Sequence, residues 1–346
     1  MHSFSSRLIA WQRVHGRHDL PWQSADAYGV WLSEIMLQQT QVATVIPYYL
    51  NFIEAFPTIA ALAAATEDQV LRYWSGLGYY ARGRNLHRSA RIIAERHHGK
   101  FPRRMEEILA LPGIGRSTAA AICALAYHER RAILDGNVKR VVARFCGISG
   151  PPDEKIVEAR LWEQAEKLLP KKHIAVYIQA QMDLGATLCT RSKPKCIACP
   201  VHSDCVAFQT GRVNDLPSPR VRKAAPERSA TVLMLLHGND ILLEKRPGMG
   251  IWGGLWSLPQ FDNEGAARQW YLQSGMHANN GERMETFTHA FTHFRLRITP
   301  LLIRLSRRPK RAMEPGSVWL SAKDALQAAI PAPVRSLLKR LNRGTG

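Results

Sequence analysis

Leu111 to Thr118 reads L-P-G-I-G-R-S-T, and an apolar helical run then leads to I-L-D-G-N at Ile133 to Asn137. Pro112, Gly113 and Gly115 break the chain between an amphipathic helix ending near Leu111 and a second helix beginning near Arg116. Such a hairpin turns the unsatisfied N–H groups and the positive dipole end of the second helix outward, where they suit a phosphate. Asp135, Gly136 and Asn137 form a turn-prone trio that would hold a carboxylate near the gripped backbone. Singly, L-P-G-x-G is also an ordinary helix connector and D-G-N an ordinary turn. Their succession points to a helix-hairpin-helix clamp with an acid behind it.

The composition agrees with a polyanionic partner. The 346 residues carry 47 Lys and Arg against 28 Asp and Glu, a formal net charge of +19. With acidic residues still plentiful, this describes a folded protein facing nucleic acid, or else an anionic membrane surface, rather than a disordered basic tail. No run of about 18 apolar residues is present, and the first sixteen residues form an amphipathic helical pattern without a signal-peptide core. A soluble intracellular monomer is expected, cytoplasmic or otherwise in the compartment that holds DNA, and in a bacterial cell associated with the nucleoid. The length allows two domains, each with its own core.

Most of residues 1–187 carries helical periodicity. Val157, Leu161, Ala165 and Leu168 recur at three- and four-residue intervals in a helix that Asp153 could cap. Residues 211–227 bring Pro217, Pro219 and Pro226 together with Arg220, Arg222 and Lys223, the composition of an extended basic linker. Beyond it, T-V-L-M-L-L-H and I-L-L-E-K-R flank a G-N-D turn, a hairpin signature. A helix near Glu264 to Gln273 and a strand around Phe294 to Leu305 follow. The expected architecture is a mainly α domain at 1–210, a linker at 211–227 and an α+β domain at 228–346.

Two further stretches carry chemistry. In W-L-S-E-I-M-L-Q-Q-T-Q, from Trp31 to Gln41, Glu34 stands among Trp31, Ile35, Met36 and Leu37. Facing inward, its carboxyl would have a raised pKa and could act as a general acid; on a surface helix it would be one more solvated Glu. The polar run Gln38, Gln39, Thr40 and Gln41 suits contact with bases or backbone. Gly76, Leu77, Gly78, Tyr79 and Tyr80 put aromatics in a glycine turn ahead of Arg82, Arg84, His87, Arg88 and Arg91. Aromatic tips beside a basic stripe suit insertion into a base stack, although both tyrosines could equally be core.

Of six cysteines, Cys189, Cys196, Cys199 and Cys205 form C-x6-C-x2-C-x5-C, while Cys123 and Cys146 lie on apolar helical patterns as small hydrophobes. Clustered thiols in a reducing compartment point to metal rather than to disulfides. A tetrahedral zinc and a cubane cluster both remain open on ligand chemistry alone. Arg191, Lys193 and Lys195 within the first loop would make it a cationic knuckle.

Together the L-P-G-I-G hairpin with Asp135, the cysteine spacing and the W-L-S-E-I-M-L-Q-Q-T-Q segment resemble the endonuclease III superfamily of DNA glycosylases, and within it the MutY adenine glycosylases. The resemblance implies a helix-hairpin-helix glycosylase fold with a [4Fe-4S] cluster on the four cysteines, and a Nudix-like tail that reads 8-oxoguanine. It makes Glu34 the acid that protonates adenine and Asp135 the carboxylate beside an oxocarbenium-like sugar, with Asn137 as its partner. Gln39 and Tyr79 match residues wedged into the gap left by the flipped base, and Gln179 matches one lining the adenine pocket. Thr40, Gly113, Gly115 and Ser117 fall in the DNA-binding segments, and Phe291, Thr292 and His293 match the loop that reads the opposite base. The implied partner is duplex DNA with adenine opposite 8-oxoguanine or guanine, with no membrane.

Departures from the family matter as well. Thr292 stands where the reading loop usually has Ser, keeping the hydroxyl and adding a methyl. Arg268, Gln269 and Trp270 fall where Nudix hydrolases carry metal-binding carboxylates, so nucleotide hydrolysis is not expected. Ser117 replaces the hairpin lysine of the bifunctional pyrimidine glycosylases, which removes the amine needed for a Schiff base and its strand cleavage. A non-catalytic DNA binder that uses the cluster as a redox switch is the rival of another class; it would need neither Glu34 nor Asp135.

Overall fold

The computed structural model describes residues 3–23, 25–219, 225–273, 281–291, 293–308 and 316–343. The chain divides into two compact units, Met1–Ala64 with Asn85–Arg222, and Ala65–Arg84 with Lys223–Gly346. Residues 65–84 thus group with the tail, whereas the sequence pattern placed them inside the first domain.

The first unit is helical, and its helices start where short polar side chains can accept from the free N–H groups of the first turn. Ser3 caps Phe4–His15, Asp26 caps Ala27–Leu37 and Asp135 caps Gly136–Cys146. Lys155–Lys167 begins after Glu154, which makes no side-chain cap bond, so Asp153 is not its cap. Val157, Leu161 and Ala165 of that helix are buried as the periodicity predicts, whereas Leu168 stands at its end, half-buried. Phe4, Leu8, Val138, Val142, Leu161, Tyr177, Ile178 and Leu184 share one core. This places Phe4–His15 and Gly136–Cys146 against Ile174–Thr187, the helix that ends at the cysteine loop.

The second unit is built on a mixed sheet of β1 (Glu227–His237), β2 (Asp240–Lys245), β3 (Trp256–Ser257), β4 (Gln260–Phe261), β5 (Glu282–Arg283), β6 (Phe287–Ala290), β7 (Arg295–Arg304) and β8 (Ser317–Ser321). The central order is β3-β2-β1-β7-β5, with β4 also on β1, β6 on β7 and β8 on β2. The expected hairpin is present, pairing Leu236 with Ile241 and His237 with Asp240. β1 and β7 run parallel from Glu227 opposite Arg295 to Leu236 opposite Arg304, a pairing that needs a long crossover and leaves no local turn signature.

Alternation sorts β1 between two cores. Val232, Met234 and Leu236 face one, which also contains Ile298, Leu337 and Leu338, while Leu233 and Leu235 face the other with Leu301, Ile303 and Tyr271. Leu71, from the helix Glu67–Trp74, completes the first of these cores. Among the described residues no helix is long and apolar enough to cross a membrane.

Candidate active site

The hairpin joins the short helix Met105–Leu109 to Arg116–Tyr127. Gly113 has φ of +82°, and a Cβ there would also come within 3.0 Å of the Asn85 side chain, so the turn needs glycine on both grounds. Gly115 is the N-cap of the second helix, in extended conformation and without a side-chain cap bond. Nothing lies within 4 Å of a Cβ placed there. A helix start of this kind leaves its first N–H groups to an anion. Gln38 Nε2 reaches both the Gly113 carbonyl and Thr118 Oγ1 at 3.4 Å, and Ser89 Oγ donates to the Pro112 carbonyl at 3.2 Å.

Ser117 Oγ accepts from the Leu134 N–H at 2.9 Å, which ties the hairpin to the residue before Asp135. Asp135 in turn caps its helix by accepting from the Val138 N–H at 2.7 Å. The carboxyl of Asp135 is raised by desolvation and pulled back by the Val138 and Asn137 N–H groups and by the Arg140 charge. Glu34 is pushed up to about 8, first by burial and then by the Asp135 charge. Its side chain keeps a little accessible surface, but the enclosing protein dominates. Its carboxyl has no hydrogen-bond partner among the described residues. Two acids thus share one site, and the one with donors is the better carboxylate, leaving Glu34 to hold a proton.

Around them, Gln39 is exposed with φ of +59°, a left-handed conformation costing a non-glycine residue about 1 kcal/mol. Thr40 Oγ1 lies 3.5 Å from the Gln38 carbonyl. Gln179 is buried in Ile174–Thr187 and donates through Nε2 to Asp183 Oδ1 at 2.9 Å. Asp183 is itself paired with Arg17, whose Nη2 lies 2.7 Å away. Donation by Nε2 orients the amide and leaves its carbonyl oxygen as the end not engaged with Asp183.

The four cysteines line one pocket together with Arg144, His202 and Phe208. Burial pushes the Cys199 thiol up to about 11, and Cys189, Cys205 and Cys196 push in the same direction. A thiol so placed keeps its proton unless a cation takes it. Among the described residues no three His, Cys, Asp or Glu side chains close around a single ion position. Arg191, Lys193 and Lys195 are exposed, as a cationic knuckle requires. Cys123 is buried, whereas Cys146 is only half-buried, its thiol pushed up to about 11 first by burial and then by Cys205.

Arg140 was not singled out by the sequence. Its Nη2 donates to Asn137 Oδ1 at 2.9 Å and to the Gly185 carbonyl, and its Nε to the Cys189 carbonyl at 2.7 Å. Asn137 packs so closely on Gly185 that a Cβ there would fall 2.6 Å from its own. Arg144, one turn on, is 3 % exposed and donates to Cys189 Sγ at 3.4 Å and to the carbonyls of Thr190 and Leu216. The spacing of Asn137, Arg140 and Arg144 at i, i+3 and i+7 was the available signal for one shared helix face.

In the second unit, Tyr79 is 47 % exposed with φ of +48°, under the Arg82 guanidinium at 5.3 Å. Tyr80, by contrast, packs on the sheet core. Phe291 and Phe294 stack at 4.5 Å and 15°, closed by a bond from the Phe291 N–H to the Phe294 carbonyl. His289 and Trp252 stand at the Phe291 ring, and His293 is exposed. Thr292 lies outside the described residues.

Comparison with known proteins decides what this arrangement belongs to. Residues 32–167 match the HhH-GPD superfamily of base excision DNA repair proteins, and residues 231–340 match the NUDIX domain. The adenine DNA glycosylase of Buchnera aphidicola subsp. Acyrthosiphon pisum is 39 % identical over 98 % of both chains. The human adenine DNA glycosylase is 32 % identical over 97 % of this chain and 73 % of its own length.

The chain belongs to the adenine DNA glycosylase family.

As an adenine DNA glycosylase it is a base-excision repair enzyme, a hydrolase of N-glycosyl bonds whose substrate is DNA. A structure of a thermostable thymine-DNA glycosylase superposes with a TM-score of 0.55 at 28 % identity, covering 60 % of this chain and 95 % of that one. The helix-hairpin-helix glycosylase fold and the Nudix-like sheet are therefore both present. Within this adenine DNA glycosylase the structure brings together Glu34, Asp135, Asn137 and Ser117, and separately the four cysteines. Gln39 and Gln179 belong to the same unit, whereas Tyr79, Phe291 and His293 belong to the other.

Proposed function

We propose that this adenine glycosylase removes adenine paired with 8-oxoguanine or guanine, as a monofunctional enzyme and a monomer, on intracellular DNA. The observation carrying the mechanism is the proton-holding Glu34 beside a hydrogen-bonded Asp135. Adenine inside a duplex is out of reach, so the base is flipped, at a cost of roughly a few kcal/mol. The anion-ready hairpin at Gly113, Gly115 and Ser117 grips the strand. Gln39 and Tyr79 each serve as a wedge for the gap left by the flipped base, Thr40 contacts the DNA, and the Gln179 carbonyl meets the adenine amino group.

Neutral adenine leaves poorly. Glu34 protonates its ring, and Asp135, oriented by the Val138 N–H and with Asn137 beside it, opposes the positive charge developing at C1′. Water then completes the hydrolysis. The hairpin offers Ser117 and no amine for a Schiff base, and Lys139 is held by Glu158 at 2.6 Å, so the abasic strand stays intact. Phe291, Thr292 and His293 read the opposite base.

Cys189, Cys196, Cys199 and Cys205 would hold a [4Fe-4S] cluster. Four thiols lining one pocket are the donor set such a cluster takes, and the family resemblance favours it over a lone zinc. When bound, the cluster supplies the charge that lets four thiolates coexist and so stabilises the cationic knuckle.

Two experiments test this reading. Single-turnover release of free adenine from duplexes with A opposite 8-oxoguanine, G or T should be fastest on the first and slowest on the last; equal rates would defeat the mispair assignment. The purified protein should be yellow-brown and contain iron, and Cys199→Ser should lose colour and soluble yield. A colourless, zinc-loaded, fully active protein would sink the cluster.

A further inference from the structure

Residues 65–84 contain the exposed Tyr79 and group with the sheet unit. Distinct bonds secure them there. Asp68 receives the Lys245 ammonium on one oxygen and the Trp256 indole N–H, at 3.2 Å, on the other. Ser75 Oγ donates to the Ile330 carbonyl at 3.0 Å and accepts from Arg335 Nη2 at 2.9 Å. Arg335 holds the Leu326 carbonyl with its other amine at 2.7 Å. Between these two points Leu71 is fully buried in the sheet core.

The turn itself is braced from the same segment. Trp74 Nε1 and Arg82 Nη2 both donate to the Gly78 carbonyl at 3.2 Å, and the Arg82 guanidinium lies between the Trp74 and Tyr79 rings, 5.6 and 5.3 Å from their centroids. A tyrosine held at φ of +48° persists only where its surroundings over-determine it.

We propose that Asp68 and Ser75, held by Lys245, Trp256 and Arg335, form a clasp that positions Tyr79 for insertion into the duplex. The unit that carries Phe291 and His293 thereby governs the wedge as well as the opposite base. This rests on the reading of Tyr79 as a base-stack contact. The clasp residues touch no DNA themselves; they act through the backbone of the turn. Tyr79 and the opposite-base readers then answer to one compact body, so a loosened clasp should mimic loss of the wedge.

The test uses the full-length protein with Asp68→Ala, Lys245→Met and Arg335→Ala, each alone and combined with Tyr79→Ala. The DNA is a duplex whose adenosine carries a 2′-fluorine, which blocks cleavage, opposite 8-oxoguanine. Amide exchange at residues 76–80 should rise at least about fivefold in each clasp variant, with the cysteine loop unchanged. Duplex binding should weaken about tenfold, the scale of one base–aromatic stack, and show no further loss once Tyr79 is already alanine. Lys245→Arg should restore both readouts, and Ser75→Ala serves if Asp68→Ala fails to fold. Unchanged exchange at 76–80, or losses that add to that of Tyr79→Ala, would overturn the clasp alone. If Tyr79→Ala by itself binds as tightly as the native chain, the wedge reading falls and the clasp with it.

Discussion

The two units build their functional surfaces by opposite routes. In the helical unit the acting groups come from short stretches with a turn or a cap between them, and their chemistry is set by burial: Glu34 is desolvated until it holds its proton, while Asp135 is given donors. In the sheet unit the candidate DNA-facing groups are aromatic, drawn from residues 74–82, 252 and 289–294, and their placement depends on packing between distant segments. On the proposed mechanism the first route makes a reaction, whose rate answers steeply to one proton. On the same reading the second makes a contact, whose loss is graded.

The largest effect should therefore fall on Glu34. Glu34→Gln should keep duplex binding and lose at least about a hundredfold in adenine release, the range for a general acid. With the acid pushed up to about 8, release should hold through neutral pH and fall about tenfold per unit above 8. Stability carries the same proton: a carboxyl raised on folding contributes fully below its unfolded value near 4.5, and that contribution disappears as pH climbs to about 8. Glu34→Gln should flatten the melting temperature across that window and out-melt the native chain at high pH. A native profile flat to pH 10 would place the proton elsewhere and erase the contrast between the units.

A graded effect is expected from Phe291→Ala. Removing a ring that stacks on Phe294 and touches His289 and Trp252 should weaken binding opposite 8-oxoguanine about tenfold, the worth of one stacked base. Adenine release opposite guanine should change less. Equal losses on both substrates would make the aromatic group a stability element of the sheet and leave base reading to other residues.

Legibility in the sequence follows the same division. The hairpin, the chain break at Asp135, the β1–β2 turn and the cysteine spacing are local, because each depends on glycine conformation, turn-prone residues or ligands within one loop. Whether Glu34 faced inward could not be read from its neighbours alone, since its raised pKa comes first from burial by the folded unit and then from the charge of Asp135, about a hundred residues away along the chain. The grouping of residues 65–84 with the tail rests on Leu71, Asp68 and Ser75 meeting residues near 245, 256 and 330. Nothing in an amphipathic eight-residue helix announces which core it enters. Arg140 lay between the two cases, on the same helix face as Asn137 but paired with a carbonyl fixed only by the end of another helix.

The smallest effect should come from Ser117, and it tests whether the hairpin acts by contact or by support. Its hydroxyl oxygen is engaged with the Leu134 N–H, immediately before Asp135. Ser117→Ala leaves that donor without its acceptor, at a cost of about 1–3 kcal/mol when buried, lowered here because Ser117 is only half-buried. A drop of a few degrees in melting temperature is then expected, on the order of 2–4 °C per kcal/mol for a unit of this size. Adenine release should fall less than about tenfold, because Asp135 keeps the Val138 N–H that orients it. Ser117→Thr keeps the hydroxyl and should recover both. If Ser117→Ala instead costs a hundredfold in release with an unchanged melting temperature, the hydroxyl reaches the DNA directly. The helical unit would then work by graded contact at its hairpin as the sheet unit does at its aromatics, and the division between the two would hold only for the carboxylates.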